Sequence, residues 1–297
     1  MYNKFVQVIY YIFLFTIGAF VGSFLNLVSD RLPKGKKIVF GHSKCDFCGK
    51  SLGPKNLIPL LSFFIQKCKC AFCKKKLSYY YPFSEALTGL AFALAGYLSN
   101  FIKVSNVSNF ISIVFYIVVS CFFVAILLTD LKFCLIPDTL VFPAILFVLV
   151  SFVVTRAYDL YDLYHKLSTD KLGVYLIKVG YFKSHAIFAA KDFGYLLLSS
   201  LIISLAFLFL VWITKGRGMG MGDVKLGFLI GLVNGFPISI VAIFLGFSLG
   251  AIYSLVLILL KKKTMKDTIA FGPFLIMGSV IALVYGSYLL DWYVHLL

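Results

Sequence analysis

Gly216-Arg217-Gly218-Met219-Gly220-Met221-Gly222-Asp223-Val224-Lys225-Leu226 sets a carboxylate after four glycines at alternate positions, between an apolar run ending near 214 and another starting at 224. An ionised Asp at the edge of a bilayer is costly unless a partner or a water-filled cavity meets it, so such an acid is a functional-site candidate. The glycines let the backbone bend and neighbours approach closely. A membrane-spanning chain tolerates that only where irregular backbone is buried or lines a cavity.

The surrounding composition settles the solvent. Of 297 residues, 61% are hydrophobic and 13% charged, and the mean hydropathy is +0.97. A soluble domain is about half apolar and a quarter charged, so this is an all-α polytopic membrane protein. The net charge of +16 does not indicate nucleic acid, because the cations fall between hydrophobic spans rather than on a soluble basic domain with exposed aromatics. It reads as a topology signal, since Lys and Arg collect in cytoplasmic loops facing an anionic leaflet.

In chain order, an apolar run over 5–28 is long enough to cross the roughly 30 Å hydrocarbon core and lacks the cleavage site of a signal peptide. Residues 29–83 form a polar segment with 12 Lys/Arg and five of the seven cysteines, expected to be a small cytoplasmic domain. Further spans are expected at 84–104, 110–129, 139–155, 193–214, 224–236, 237–260 and 272–294, so that 84–297 is a membrane-embedded domain and the total is about eight. Residues 224–236 are short for a span and fit a tilted helix or re-entrant hairpin. With eight spans, the basic segments 29–83, 215–225 and 261–266 all fall on one side, the cytoplasmic one. The 156–192 insert, with six basic and four acidic residues, falls outside, as an interfacial amphipathic helix or a flexible loop.

Cys45-x-x-Cys48 and Cys70-x-x-Cys73 have the form of two zinc knuckles, with a gap between them slightly longer than the usual zinc-ribbon window. Each tight turn presents two soft thiolates to one tetrahedral ion, in a segment with little core of its own. Cys68 is an alternative to Cys70 in a different turn; Cys70 keeps two matching knuckles. Disulfides are the competing reading, which a reducing compartment disfavours. Cys121 and Cys134 flank an apolar span and read as packing residues, and His42 is the one histidine near the cluster.

A second acid, Asp130, closes the third span in Thr129-Asp130-Leu131-Lys132-Phe133-Cys134-Leu135-Ile136-Pro137-Asp138, on the same predicted face as Asp223. Two carboxylates brought together can share a proton, one activating water and the other acting as an acid, which is the chemistry of aspartic proteases. On the residues alone, helix capping is the better account of Asp130 and Asp223, and Asp138 also suits a cap. The ladder matches neither nucleotide-binding motif, because Met221 stands where the third glycine of Gly-x-Gly-x-x-Gly would be and no Gly-Lys-Ser/Thr is present.

An ordered set of motifs shifts that balance. Gly22-Ser23-Phe24-Leu25-Asn26-Leu27 with Arg31-Leu32-Pro33, the paired Cys motifs around Asn56-Leu57-Ile58-Pro59-Leu60-Leu61-Ser62, and Tyr81-Pro82-Phe83-Ser84-Glu85 come first. Asp130 with Ile136-Pro137-Asp138, the ladder with Asp223-Val224-Lys225-Leu226, and Phe271-Gly272-Pro273-Phe274-Leu275 follow. Over nearly its whole length the chain resembles the bacterial type IV prepilin peptidases. The resemblance implies an aspartic endopeptidase of the bacterial cytoplasmic membrane with Asp130 and Asp223 as its catalytic pair. It would remove a short basic leader from prepilins or pseudopilins at the cytoplasmic face, then N-methylate the new terminus with S-adenosylmethionine. Peptidase action without methylation, and an ion-coupled transporter using the two acids, are the alternatives. Cys68, the length of 156–192 and the lack of tryptophan in Ser62-Phe63-Phe64-Ile65-Gln66 depart from the family pattern.

Overall fold

Apolar stretches of about 20 residues in lipid satisfy their backbone groups within the segment, and helices dominate accordingly. The computed structural model describes residues 4–35, 47–51, 53, 58–102, 106–216, 218–262 and 269–296. In chain order the helices are α1 (Lys4–Arg31), α2 (Leu61–Ile65), α3 (Tyr80–Leu98), α4 (Val107–Phe133), α5 (Asp138–Thr169), α6 (Lys171–Lys178), α7 (Tyr181–Ile213), α8 (Met221–Asn234), α9 (Ile238–Leu259) and α10 (Gly272–Leu296). A 3₁₀ turn, Leu32–Lys34, follows α1. Among the described residues there is no strand; an isolated antiparallel bridge joins Lys69 and Lys76.

The expectation of eight spans is met in part. Helices occupy all eight stretches, but six (α1 with its 3₁₀ turn, α4, α5, α7, α9 and α10) are long and apolar enough to cross a membrane. The other two fall short for different reasons: α3 opens on the polar turn Tyr80–Glu85, and α8 has 14 residues, about 21 Å at about 1.5 Å per residue.

The chain divides into two compact units, Met1–Leu140 and Val141–Leu297. In the first, α1 and α3 approach at backbone distance. A Cβ on Gly18 would lie 2.7 Å from the Thr88 carbonyl oxygen, and one on Gly89 would meet Phe15 at 2.8 Å. Small residues serve lipid-embedded helices in this way because close packing, not hydrophobic burial, holds them together. Ser84 Oγ donates to Asn26 Oδ1 at 2.7 Å across the same contact. Leu14, Phe92 and Ile113 form a core where α4 joins the pair, with Cys121 packed against it.

In the second unit, α8 lies against α7, and a Cβ on Gly231 would come within 2.6 Å of Ser200 Cα. Asn234 Nδ2 donates to Ser279 Oγ at 2.6 Å, tying α8 to α10. The 156–192 insert is helical through most of its length rather than a loop, with the short helix α6 (Lys171–Lys178) between its two ends. It prolongs its neighbours, α5 with 32 residues and α7 with 33. At about 1.5 Å per residue each is roughly 50 Å long, well beyond a hydrocarbon core of about 30 Å. Their projecting ends pair through Arg156 Nη2 and Asp192 Oδ2 at 3.1 Å, Phe152 on Phe193 at 5.5 Å and Tyr164 on Phe182 at 5.5 Å.

Another close contact in this unit is α9 on α10. A Cβ on Gly278 would lie 2.5 Å from both the Ala242 carbonyl oxygen and the Gly246 nitrogen. Backbone cannot rotate aside as a side chain can, so Gly278→Ala should cost about 1–3 kcal/mol by overpacking. Gly194→Ala is the control, since nothing lies within 4 Å of its Cβ position and a helical Gly→Ala exchange gains about 0.5–1 kcal/mol. Thermal unfolding in detergent should separate the two variants in opposite directions. Equal melting temperatures would contradict this packing.

Candidate active site and metal centre

Two of the candidate acids sit in terminal turns of apolar helices. Asp130 is in the last turn of α4, is 4% exposed, and ends an unbroken buried run from Phe123. Its carbonyl oxygen accepts the Cys134 N–H at 2.8 Å, which closes the helix with Cys134 in the left-handed region at φ 50. Cys134 is therefore an exposed cap, whereas the sequence suggests a packing residue.

Asp223 is the third residue of α8 and is 9% exposed. Its Oδ2 accepts the Gly220 N–H at 3.1 Å, while its own N–H donates to the Gly220 carbonyl at 3.1 Å. The carboxylate supplies the return half of a capping box, glycine at the N-cap having no side chain to supply the other, so the capping role weighed for Asp223 is real. It engages one carboxylate oxygen with a single donor. Of the ladder glycines described, Gly216 has positive φ (73), whereas Gly220 is extended at φ −87. Arg217 lies outside the described residues. Lys225, one turn into α8, lies over the Phe142 ring of α5 at 5.4 Å. Asp130 belongs to the first unit and Asp223 to the second.

The Sγ atoms of Cys48, Cys70 and Cys73 all lie within 4.8 Å of one another. Zinc bound at about 2.3 Å to each thiolate would set sulfurs about 3.8 Å apart, so small side-chain rotations complete the fit. Cys45 lies outside the described residues. The second knuckle is shaped by Cys70 N–H donating to the Lys75 carbonyl at 2.9 Å and Lys74 N–H to the Cys70 carbonyl at 3.1 Å, with Lys74 at φ 58. The knuckles brace each other: Lys75 lies over Phe47 at 4.9 Å and Lys50 over Phe72 at 5.3 Å. Cys68 is not part of this sulfur group; its thiol instead forms a hydrogen bond with the Tyr79 hydroxyl.

Glu85 of α3, 8% exposed, ties this segment to the membrane helices. Its Oε2 accepts the Leu60 N–H at 2.8 Å, and Ser23 of α1 supplies a second hydrogen bond. Leu60 is at φ 60, ψ −55, and Leu61 N–H donates to the Pro59 carbonyl at 2.6 Å. That is a γ-turn of the strained hand, which surrounding contacts must hold. No sequence signal marks Glu85 for this role, because its partner lies in a loop far along the chain.

Residues 16–99 match the bacterial peptidase A24 N-terminal domain, and residues 117–255 match the type IV leader peptidase family. The chain belongs to the type IV leader peptidase family. In this leader peptidase, the N-terminal match spans most of α1, the cysteine segment and α3, and the second match holds both Asp130 and Asp223. A Bacillus subtilis protein named prepilin leader peptidase/N-methyltransferase is 29% identical over 283 residues, 95% of this chain and 97% of that protein. A Pseudomonas aeruginosa protein of the same name is 28% identical over 304 residues, 94% and 91% of the two chains. One from Myxococcus xanthus reaches 44% over 81 residues, 27% of this chain and 24% of that protein. No solved structure matches the chain.

Proposed function

We propose that this chain removes the short basic leader from type IV prepilins or pseudopilins at the cytoplasmic face of a bacterial cytoplasmic membrane, with Asp130 and Asp223 as its catalytic pair. The observation that carries the reading is their burial in the terminal turns of apolar helices. Glu85 is the remaining buried acid among the described residues, and its oxygens are engaged by Leu60 and Ser23. The family match and the names of the relatives supply the substrate class. An eight-pass topology with 29–83 as a cytoplasmic zinc domain, held by Cys45, Cys48, Cys70 and Cys73, completes the proposal. The zinc would act there as a structural cross-link.

In the reaction, one carboxylate takes a proton from water while the water oxygen attacks the scissile carbonyl carbon. The other carboxyl, protonated, hydrogen-bonds the carbonyl oxygen. The amide nitrogen then receives a proton as the C–N bond breaks, giving a leader ending in a carboxylate and a mature chain with a free amine. Asp130 and Asp223 share these two parts.

The relatives' names also carry N-methyltransferase, which brings in S-adenosylmethionine as methyl donor for the amine that cleavage exposes. Incubating the purified protein with a prepilin, with and without S-adenosylmethionine, and measuring product masses tests both halves. Loss of the leader in both reactions is expected, with one added methyl group only where the donor is present. Intact prepilin in both would overturn the peptidase reading; a cleaved but unmethylated product would remove the second activity alone.

A further inference from the structure

Asp130 lies three residues from the end of α4, where helices fray and the last four carbonyls lack intrahelical donors. The helix stops there on Cys134 at φ 50, ψ 42, a left-handed conformation that L-residues enter at a cost. Within α4 the turn that presents Asp130 is closed by the Cys134 N–H on the Asp130 carbonyl. The neighbouring elements of the same unit hold it from outside. Lys132 Nζ pairs with Asp30 Oδ1 of α1, lies over the Tyr80 ring of α3 at 5.2 Å and covers Phe133 at 5.9 Å. The Tyr80 hydroxyl donates to the Leu128 carbonyl at 3.3 Å, and Lys34 of the 3₁₀ turn lies over Phe133 at 5.6 Å.

We propose that Lys132, clamped between Asp30 and Tyr80, is a positioning residue for Asp130. This rests on the catalytic reading above. The clamp joins α4 to α1 and α3 around its last turn, and so fixes the depth and rotation at which the Asp130 carboxyl is offered. It is poorly suited to a stabilising role: Asp30 and Lys132 side chains are 27% and 35% exposed, and ion pairs so open to solvent contribute little to stability. Position is another matter, because misplacing a reacting group by about 1 Å lowers a rate on the order of a hundredfold. Asp30 and Lys132 are 102 residues apart, so no local pattern marks them as partners.

The test uses purified full-chain protein and steady-state cleavage of a prepilin. Lys132→Met keeps the aliphatic stem and removes the charge; it should lower kcat about ten- to a hundredfold with KM and melting temperature unchanged. Lys132→Arg, which keeps both the ion pair and the ring contact, should retain most of kcat. Asp30→Asn should lower kcat in the same direction, and the Asp30→Asn/Lys132→Met double variant should be no worse than the poorer single one, as for residues acting as a unit. Unchanged kcat in Lys132→Met overturns the proposal. So does a loss matched by a lower melting temperature and not restored by Arg, which is the mark of a purely structural contact. Asp130→Asn run alongside separates the two levels: full cleavage by it removes the catalytic reading and this inference with it, whereas its loss beside a normal Lys132→Met removes the clamp alone.

Discussion

Asp130→Asn and Asp223→Asn, made separately, should each lower leader cleavage about a thousandfold or more, the scale on which a positioned general acid or base contributes, while the protein stays folded. The substitution is chosen to set catalysis against capping. Asparagine has almost the shape of aspartate, is an equally good helix-capping residue, and its Oδ1 can still accept the Gly220 N–H that Asp223 Oδ2 accepts at 3.1 Å. If Asp223 only closed the first turn of α8, Asp223→Asn would be nearly silent in both stability and activity. What asparagine cannot do is take a proton from water or give one to an amide nitrogen. Cleavage rates measured beside thermal unfolding decide the matter: a cleavage-dead variant with an unchanged melting temperature supports the pair. Activity within tenfold of wild type in either variant would end its candidacy.

The membrane helices are readable because length and apolarity are properties of a single segment. The run at 5–28 is α1, and 110–129 is the middle of α4, with ends moved by a few residues where Asn106 Oδ1 caps the Asn109 N–H at 2.9 Å and Cys134 turns left-handed. The shortness of 224–236 is also readable, and α8 is short. The 156–192 insert is not readable. Arg156 and Asp192 look like solvated loop charges until α5 and α7 are seen to continue as helices through both positions and pair them at 3.1 Å.

The site divides in the same way. Spacing alone singles out the cysteines, but the choice between Cys68 and Cys70 depends on a turn shaped by the Lys69–Lys76 bridge and by Lys74 at φ 58, neither of which a Cys count can supply. The acids stand out as anomalies in apolar sequence. Their supporting contacts, Asp30 with Lys132 and Glu85 with Leu60, join residues distant in the chain and arise only from the fold.

Metal analysis of gently extracted, reduced protein should find about one zinc per chain, and Cys70→Ser should remove nearly all of it. The physical ground is how little else holds the segment together. Between 47 and 79, the buried side chains among the described residues are Pro59, Phe63 and Cys70, while Phe47, Leu61, Phe64, Ile65, Phe72 and Tyr79 are exposed. So small a core cannot offset the entropy of ordering the chain. A four-thiolate zinc site supplies about 10–16 kcal/mol in comparable small folds, enough to turn the balance. Losing one ligand should therefore expose the lysine-rich stretch Lys67–Lys76 to trypsin while the membrane helices, with their own packing, keep their melting temperature. Cys68→Ser is the informative partner: Cys68 stands outside the sulfur group, so its loss should leave both zinc and protease resistance intact. Zinc that follows Cys68 rather than Cys70 would reassign the second knuckle, and reduced wild-type protein without zinc would leave the cysteine segment to be stabilised by the Glu85–Leu60 tie and its packing on the membrane helices alone.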